Sequence, residues 1–333
     1  MPARPSAATL LTAGPTVAES GARSGPQPEE RLFVDGDRIV GRYRVEGLLG
    51  QGGMGQVYQV VDEHADGRRL ALKLAHLSAG GSRAIEILKG EFALLASLVH
   101  PNLAEVRDFG HVRSDVAYFT QRLVSGVPLS QTGLRPDDPD AVPIWAQLCR
   151  ALEYLHGKGI LHRDIKPSNI LVDLDARHLT LLDFGVSRVL GSREDRLLVG
   201  TFAYMPPEAI AGGPVDARSD LYSLGITLYR QLTGRVPFEG THSQVLAAHM
   251  GQAPALPQGE TGKPAVAAVV ERLLDKEPGA RYASAAELAT TLRAALSWLK
   301  EERAAERTWA RVAPLEGDGD GRVASPINGC RAA

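Results

Sequence analysis

Apolar residues recur along this chain with two different spacings, and the change from one to the other divides it. From Tyr43 to about Leu123 the apolar runs are short and rich in β-branched or aromatic residues. Tyr43–Leu49, Gln56–Val61 and Leu70–Ala75 have the length of strands and are punctuated by Gly-rich or Asp-Gly stretches. Two more strands are predicted near Leu103–Phe109 and Ala117–Leu123, and LFVDGDRIV, ending at Val40, alternates around an Asp-Gly turn. One segment in this half is helical instead. Over Ser82–Val99 the residues Ile85, Leu88, Phe92, Leu95 and Leu98 share a face, and His100-Pro101-Asn102 stops the pattern.

After Gly126 helical spacing takes over. Val142–His156, Ser219–Leu232, Ser243–His249, Pro264–Leu274 and Ala283–Trp298 are all amphipathic. The predicted fold class is therefore α+β with two lobes: an antiparallel sheet with one helix up to about residue 122, and a mainly helical lobe over 126–297. They meet near Gln121–Gly126. Residues 1–30, rich in Ala, Pro, Ser and Gly without periodicity, are expected to be disordered, because they bury too little apolar surface to offset ordering entropy. Residues 298–333 begin as a charged helix, KEERAAERTWARV, and decay into a loose tail. The folded domain is expected over 31–297.

Composition narrows the functional classes. With 44% apolar and 23% charged residues the chain supports a sizeable core. A formal charge of −2 supplies no basic field for nucleic acid or an anionic membrane. No run reaches the roughly 18 apolar residues that span a bilayer, and the N-terminus lacks the sustained apolar stretch of a secretory signal. The two cysteines, Cys149 within a helical pattern and Cys330 near the end, form neither a disulfide framework nor a zinc pair. A cytoplasmic protein is expected, and nothing in the pattern sets an oligomeric state.

Three segments carry chemistry. Gly50-Gln51-Gly52-Gly53-Met54-Gly55 lies between two predicted strands, where glycines let backbone N–H groups approach phosphate oxygens. Its strand–strand setting argues against a dinucleotide fold, and it lacks the terminal Lys-Ser/Thr of a P-loop. Lys73 ends the apolar run Leu70-Ala71-Leu72, so its ammonium must reach solvent or an anion, and Glu91 on the predicted helix is one candidate. Third comes His162-Arg163-Asp164-Ile165-Lys166-Pro167-Ser168-Asn169, a run whose chance expectation is on the order of 10⁻⁵. Downstream, Asp183-Phe184-Gly185 places an acid after a β-like run. Asp and Asn oxygens suit magnesium, and a free carboxylate can orient a hydroxyl.

Together these segments resemble the protein kinase superfamily. HRDIKPSN with GTFAYMPPE (Gly200–Glu208) most resembles the bacterial eukaryotic-like, Hanks-type serine/threonine kinases, over about residues 41–297. The resemblance implies ATP and Mg²⁺ as cofactors, protein Ser/Thr hydroxyls as acceptors, and a place in bacterial signalling. Gly50, Gly52 and Gly55 would cover the phosphates, with Leu49 and Gly53 also in the ATP site, while Val57, Ala71 and Leu171 sandwich adenine and the backbone of Arg122 and Val124 binds its edge. Lys73 would hold the α- and β-phosphates and pair with Glu91. Asp164 would take the substrate proton, Lys166 neutralise the γ-phosphate, and Asn169 and Asp183 hold the metal. Glu208 would pair with Arg281, and Asp220 would brace the catalytic loop. Lys166 with Thr201 fits the serine/threonine class. The usual Ala-Pro-Glu is Pro-Pro-Glu here, Gln121 stands at the gatekeeper-like position, and Arg122 replaces the hinge acid. Between Gly185 and Thr201 the hydroxyls are Ser187 and Ser192, and Ser192 is the expected switch site, its phosphate received by Arg163.

Two other readings stay open at this level: a kinase-fold scaffold without catalysis, and a small-molecule phosphotransferase of related fold. Intact Lys73, Glu91, Asp164, Asn169 and Asp183 speak against the first. Arg163, Lys166 and Thr201–Glu208, which serve a protein-substrate groove, speak against the second.

Overall fold

Strands β1 (Arg38–Ile39), β2 (Tyr43–Gly52), β3 (Gly55–Asp62), β4 (Arg68–His76), β5 (Val106–Arg113) and β6 (Val116–Arg122) form one antiparallel sheet, ordered β1-β2-β3-β4-β6-β5. The computed structural model that defines them describes residues 31–52, 55–76, 92–113, 116–184, 202–256 and 264–297. Alternation within the strands gives this sheet two faces. Tyr58, Val60, Leu70, Leu72, Leu74 and Tyr118 join Ile39, Tyr43 and Val45 in a core belonging to this lobe alone. On the other face Val57 lies opposite Lys73, and Ala71 and Lys73 lie opposite Gln121 and Phe119. One strand pattern thus builds a core on one side and a functional surface on the other.

The second lobe starts where Gly126 and the short strand β7 (Val127–Pro128) meet β8 (Ile170–Asp173), which pairs with β9 (His178–Leu181). Gly126 has φ +131°, and a Cβ there would sit 2.8 Å from the Val172 carbonyl carbon, so this connection requires glycine. Helix α1 covers 92–96 within the described residues. It is followed by α2 (Val142–Gly157), α3 (Pro207–Ile210), α4 (Ala217–Thr233), α5 (His242–Gly251), α6 (Pro264–Leu273) and α7 over 285–297. Local chemistry sets several of their ends. Asp216 and Ser219 form a capping box at the start of α4, Gly234 closes it in the left-handed region, and Thr241 with Gln244 caps α5.

A single apolar core runs from Leu95, Val106 and Phe119 of the first lobe through α2, α4, α6 and α7. Cys149 lies inside it, and burial pushes its thiol up to about 12, which fits an inert small hydrophobe. At Gly225 the approach of α4 to α6 is close, since an added Cβ would meet the Leu273 Cβ at 2.8 Å.

The predicted elements that lie within the described residues fall where expected, with one correction. The strand expected to start at Leu103 starts at Val106 and runs on to Arg113. The backbone before it is captured elsewhere: Leu103 bridges Leu181, and the Leu181 N–H donates to the Asn102 carbonyl at 2.8 Å. Residues 1–30, most of the helix expected over 82–99, and 298–333 lie outside the described residues. Among the described residues no helix is long and apolar enough to cross a membrane.

Candidate active site

The Gly-rich segment is a tight hairpin: Gly50 pairs with Val57, Gln51 with Gln56 and Gly52 with Gly55, leaving two residues at the tip. Gly53 lies outside the described residues, as do Glu91, Ser192 and Thr201. On its outer side the hairpin is tied to the chain entering the domain. The Leu32 N–H donates to the Gln56 side-chain oxygen at 3.1 Å, and the Phe33 N–H to the Tyr58 hydroxyl at 3.2 Å.

Lys73 projects from the inner face of β4 and is 6% exposed. Its ammonium donates to Asp183 Oδ2 at 2.8 Å, joining positions 110 residues apart and bridging the two lobes. Burial alone would raise the Asp183 carboxyl, but the Lys73 ammonium outweighs it, with Lys166 and His162 adding, and holds the group below the usual carboxylate range. Asp183 has φ +57°, a left-handed conformation unusual for a non-glycine residue. Phe184 beside it is buried in the shared core and anchors the turn.

The His162–Asn169 run folds around Asp164. Its Oδ2 accepts from the Asn169 side-chain nitrogen at 2.7 Å and from Lys166 at 2.8 Å. Asn169 also donates to the Asp164 carbonyl at 2.8 Å. From below, Asp220 on α4 accepts from the backbone N–H groups of His162 and Arg163 and from His156 Nε2, all at 2.8 Å. Arg163 itself has φ +66°, so two backbone bonds to a buried carboxylate hold a strained turn. His162 accepts from the Asp164 N–H through Nδ1 and donates from Nε2 to the Leu182 carbonyl, which ties the catalytic loop to the strand end carrying Asp183.

Two carboxylate oxygens at the centre, Asp164 Oδ1 and Asp183 Oδ1, are buried with no hydrogen-bond partner among the described residues. Such atoms are costly unless a ligand meets them. Asp183 Oδ1 and the side-chain oxygen of Asn169 are hard donors of the kind magnesium uses with phosphate oxygens and water.

Of the residues expected around a nucleotide base, Ala71 is buried on the inner face of the first sheet, Val57 is half-buried there, and Leu171 is buried in β8. The Arg122 side chain is exposed, and its N–H donates to the Glu105 carbonyl at 2.8 Å, so its backbone offers a carbonyl rather than a donor. Leu49 is half-buried in β2, and Val124 half-buried in the connection between lobes.

Behind the site, Glu208 and Arg281 form a two-pronged ion pair, both N···O distances 2.9 Å, as expected from the resemblance.

The sequence matches the protein kinase domain family over residues 43–292. The chain belongs to the protein kinase family. It is 36% identical over 285 residues to the serine/threonine-protein kinase pkn2 of Myxococcus xanthus, an alignment covering 80% of this kinase and 34% of that protein. With the serine/threonine-protein kinase PknE of Mycobacterium tuberculosis it shares 34% identity over 279 residues, covering 80% and 48% respectively. This kinase therefore spans between a third and half of those relatives. Among solved structures, the Mycobacterium tuberculosis PknI kinase domain superposes with a TM-score of 0.62 at 27% identity, covering 79% of this kinase and 99% of that chain.

Several residues that shape the kinase site carry no pattern in the sequence. His156, which completes the shell of Asp220, is one histidine on an amphipathic helix. Tyr204 is held at both ends by α4, its carbonyl by Ser223 and its hydroxyl by Arg230, each at 2.8 Å.

Proposed function

We propose that this domain, over 31–297, transfers the γ-phosphoryl group of ATP to serine or threonine hydroxyls of proteins, in bacterial signalling. The observation that carries the reading is the convergence of Lys73, Asp183, Asn169, Lys166 and Asp164, with one oxygen of each aspartate left without a donor among the described residues. Gly50, Gly52, Gly53 and Gly55, with Leu49, cover the phosphates. Val57, Ala71 and Leu171 enclose the adenine, and the Arg122 carbonyl and Val124 backbone bind its edge. Lys73 exchanges its bond to Asp183 for the α- and β-phosphates and gains Glu91 as counter-charge. Asp183 and Asn169 would hold Mg²⁺, which when bound neutralises phosphate charge.

Asp164 does the positioning. With Oδ2 fixed by Asn169 and Lys166, Oδ1 is left to accept the hydrogen of the incoming hydroxyl. The substrate oxygen bonds to the γ-phosphorus as the bond from that phosphorus to the β–γ bridging oxygen breaks. ADP leaves, and the proton passes through Asp164 to solvent. Lys166 lies beside the transferring group and offsets its charge. Catalysis is then alignment plus charge stabilisation, without a covalent enzyme intermediate. Ser192 is the proposed loop phosphorylation site, with Arg163 as receiver and Thr201 closing the segment. The absence of a helix able to cross a membrane among the described residues, and the cysteine usage, support a cytoplasmic setting.

The test is incorporation of labelled γ-phosphate from Mg-ATP into the protein and into one acidic and one basic generic substrate, beside an Asp164→Asn variant. Label on serine and threonine that disappears in the variant is expected. Nucleotide binding without transfer above the variant would replace this reading with a nucleotide-holding scaffold.

A further inference from the structure

Among the described residues, the outer face of the Gly-rich hairpin carries no apolar anchor beyond Tyr58. Cross-strand partners share a face of a sheet. Leu48 lies opposite Tyr58 and packs on the core of the first lobe, but the next outward pair toward the tip is Gln51 with Gln56. The ladder guiding β2 to that tip is also irregular, with register shifts between Val45 and Gly47 and between Leu48 and Gly50. Gln56 is nevertheless only 6% exposed. A buried amide of this kind needs partners.

The chain entering the domain supplies them. Residues 32–37 form a strap held at both ends. At one end the Gly36 N–H donates to the Val45 carbonyl at 2.9 Å, and the Val45 N–H to the Asp37 carbonyl at 2.8 Å. At the other, the Gln56 side-chain oxygen accepts from the Leu32 N–H at 3.1 Å and from the Tyr58 hydroxyl at 2.5 Å. That hydroxyl in turn accepts from the Phe33 N–H at 3.2 Å, and the Phe33 ring meets Tyr58 edge-on with centroids 6.0 Å apart. Two backbone donors, one hydroxyl and one amide oxygen thus form a closed relay between strap and hairpin. In the chain Gln56 stands between Gly55 and Val57, two residues proposed to face the nucleotide.

We propose that Gln56 is a positioning residue for ATP: with Tyr58 it latches the strap to the outer side of the hairpin and so sets the height of Gly50, Gly55 and Val57 over the nucleotide. The inference rests on the ATP-dependent phosphotransfer reading above. The Gln56 side chain lies on the face away from the cleft and acts through its two chain neighbours. Glycines leave a hairpin many backbone states. A latch that removes some of them before the nucleotide arrives shows up as affinity. Breaking one arm of the relay should raise KM for Mg-ATP about three- to tenfold. The kcat should change by less than about twofold, because the His162–Asn169 run is untouched.

Steady-state kinetics of the full chain, with the Kd of a magnesium-bound, non-hydrolysable ATP analogue, test this. Gln56→Met keeps the shape and removes the acceptor, Tyr58→Phe removes the hydroxyl, and Leu32→Pro removes a backbone donor. Each should raise KM for Mg-ATP and the Kd of the analogue by a similar factor, with KM for the protein acceptor unchanged. Leu32→Ala keeps the N–H and should match the wild type, which separates the backbone bond from the side chain. Gln56→Met combined with Tyr58→Phe should exceed either alone only slightly, since both break one relay. A latch that merely holds the lobe together gives another pattern. If Gln56→Met and Tyr58→Phe lower the melting temperature while KM and Kd stay within about twofold of the wild type, the proposal is overturned. A fall in kcat at unchanged KM for ATP overturns it as well. If the wild type binds the analogue and transfers nothing, the phosphotransfer reading fails, and the Kd series alone decides the role of Gln56.

Discussion

Arg281 grips Glu208 with two nitrogens, each 2.9 Å from a carboxylate oxygen, while its guanidinium is wholly shielded from solvent. The same guanidinium donates to the carbonyls of Asp275, Arg218 and Lys276, so one side chain ties α3, α4 and the turn before α7 together. Burial alone would push the Glu208 carboxyl up, but Arg281 and Ser219 hold it below its usual range. Removing one partner strands the other charge. Arg281→Ala should cost about 3–5 kcal/mol in urea unfolding, and Arg281→Lys should recover little of it. A cost below about 1 kcal/mol would mean that solvent reaches the carboxylate.

Asp220 accepts three hydrogen bonds on two oxygens. Asparagine keeps one acceptor oxygen and replaces the other with a donor that faces N–H groups. Asp220→Asn should therefore slow kcat by about tenfold or more through the Arg163 turn, leaving KM for ATP nearly unchanged, and should lower stability by about 1–3 kcal/mol. Steady-state kinetics with the unfolding midpoint separates the two effects.

His249 is fully buried, its Nδ1 2.9 Å from the Tyr222 hydroxyl. Burial pulls it down to about 4, with nearby Lys276 contributing. Burial likewise pulls Lys276 down to about 8. In both cases the unfolded chain holds the proton over a range where the folded one does not. The contribution of His249 to stability is therefore complete above about pH 6.5 and lost as pH falls toward 4. For Lys276, stability gains as pH rises from about 8 through the ordinary lysine range. Unfolding followed from pH 7 to 4.5 should show a loss that His249→Gln reduces. Lys276→Met should raise the His249 titration midpoint, read from its ring proton shifts by NMR.

Gly126 occupies the connection between the lobes at φ +131°, its hydrogens against the Val172 carbonyl. Gly126→Ala meets both a disfavoured backbone and a contact under 3 Å, so a loss of about 2 kcal/mol or more is expected. Because the adjoining backbone is proposed to bind the adenine edge, ATP affinity should fall with it. Thermal shift with and without Mg-ATP tests both, and an unaffected melting temperature would show that the connection can yield.

Much of this was legible because periodicity and chemistry agree. Alternation in β3 and β4 gave the strands and, through Val57, Ala71 and Lys73, the face that carries function. The two runs around Asp164 and Asp183 are contiguous, so local order delivers them together. What was not legible depends on contacts across the chain. The partner that Lys73 takes among the described residues is Asp183, set by how the lobes close and not by helix spacing. Leu103 left its expected strand because β9, nearly 80 residues away, offered its backbone a partner. Arg230 looks like any arginine at a helix C-terminus, where the dipole favours it, until Tyr204 is placed beside it.

The pairs Lys73–Asp183 and Lys166–Asp164 also fix how the cleft looks to an approaching nucleotide. Two ammonium and two carboxylate groups sum to zero formal charge, so the inner cleft exerts little long-range pull on a polyphosphate. On the phosphotransfer reading proposed above, entry would be an ion exchange: a metal-loaded triphosphate would bring its own cation to Asp183 as it took Lys73, whereas a bare triphosphate would strand the carboxylate. Asp183→Asn breaks that symmetry by leaving one uncompensated positive charge. On that same reading, this variant is expected to hold ATP without magnesium dependence and to transfer no phosphate.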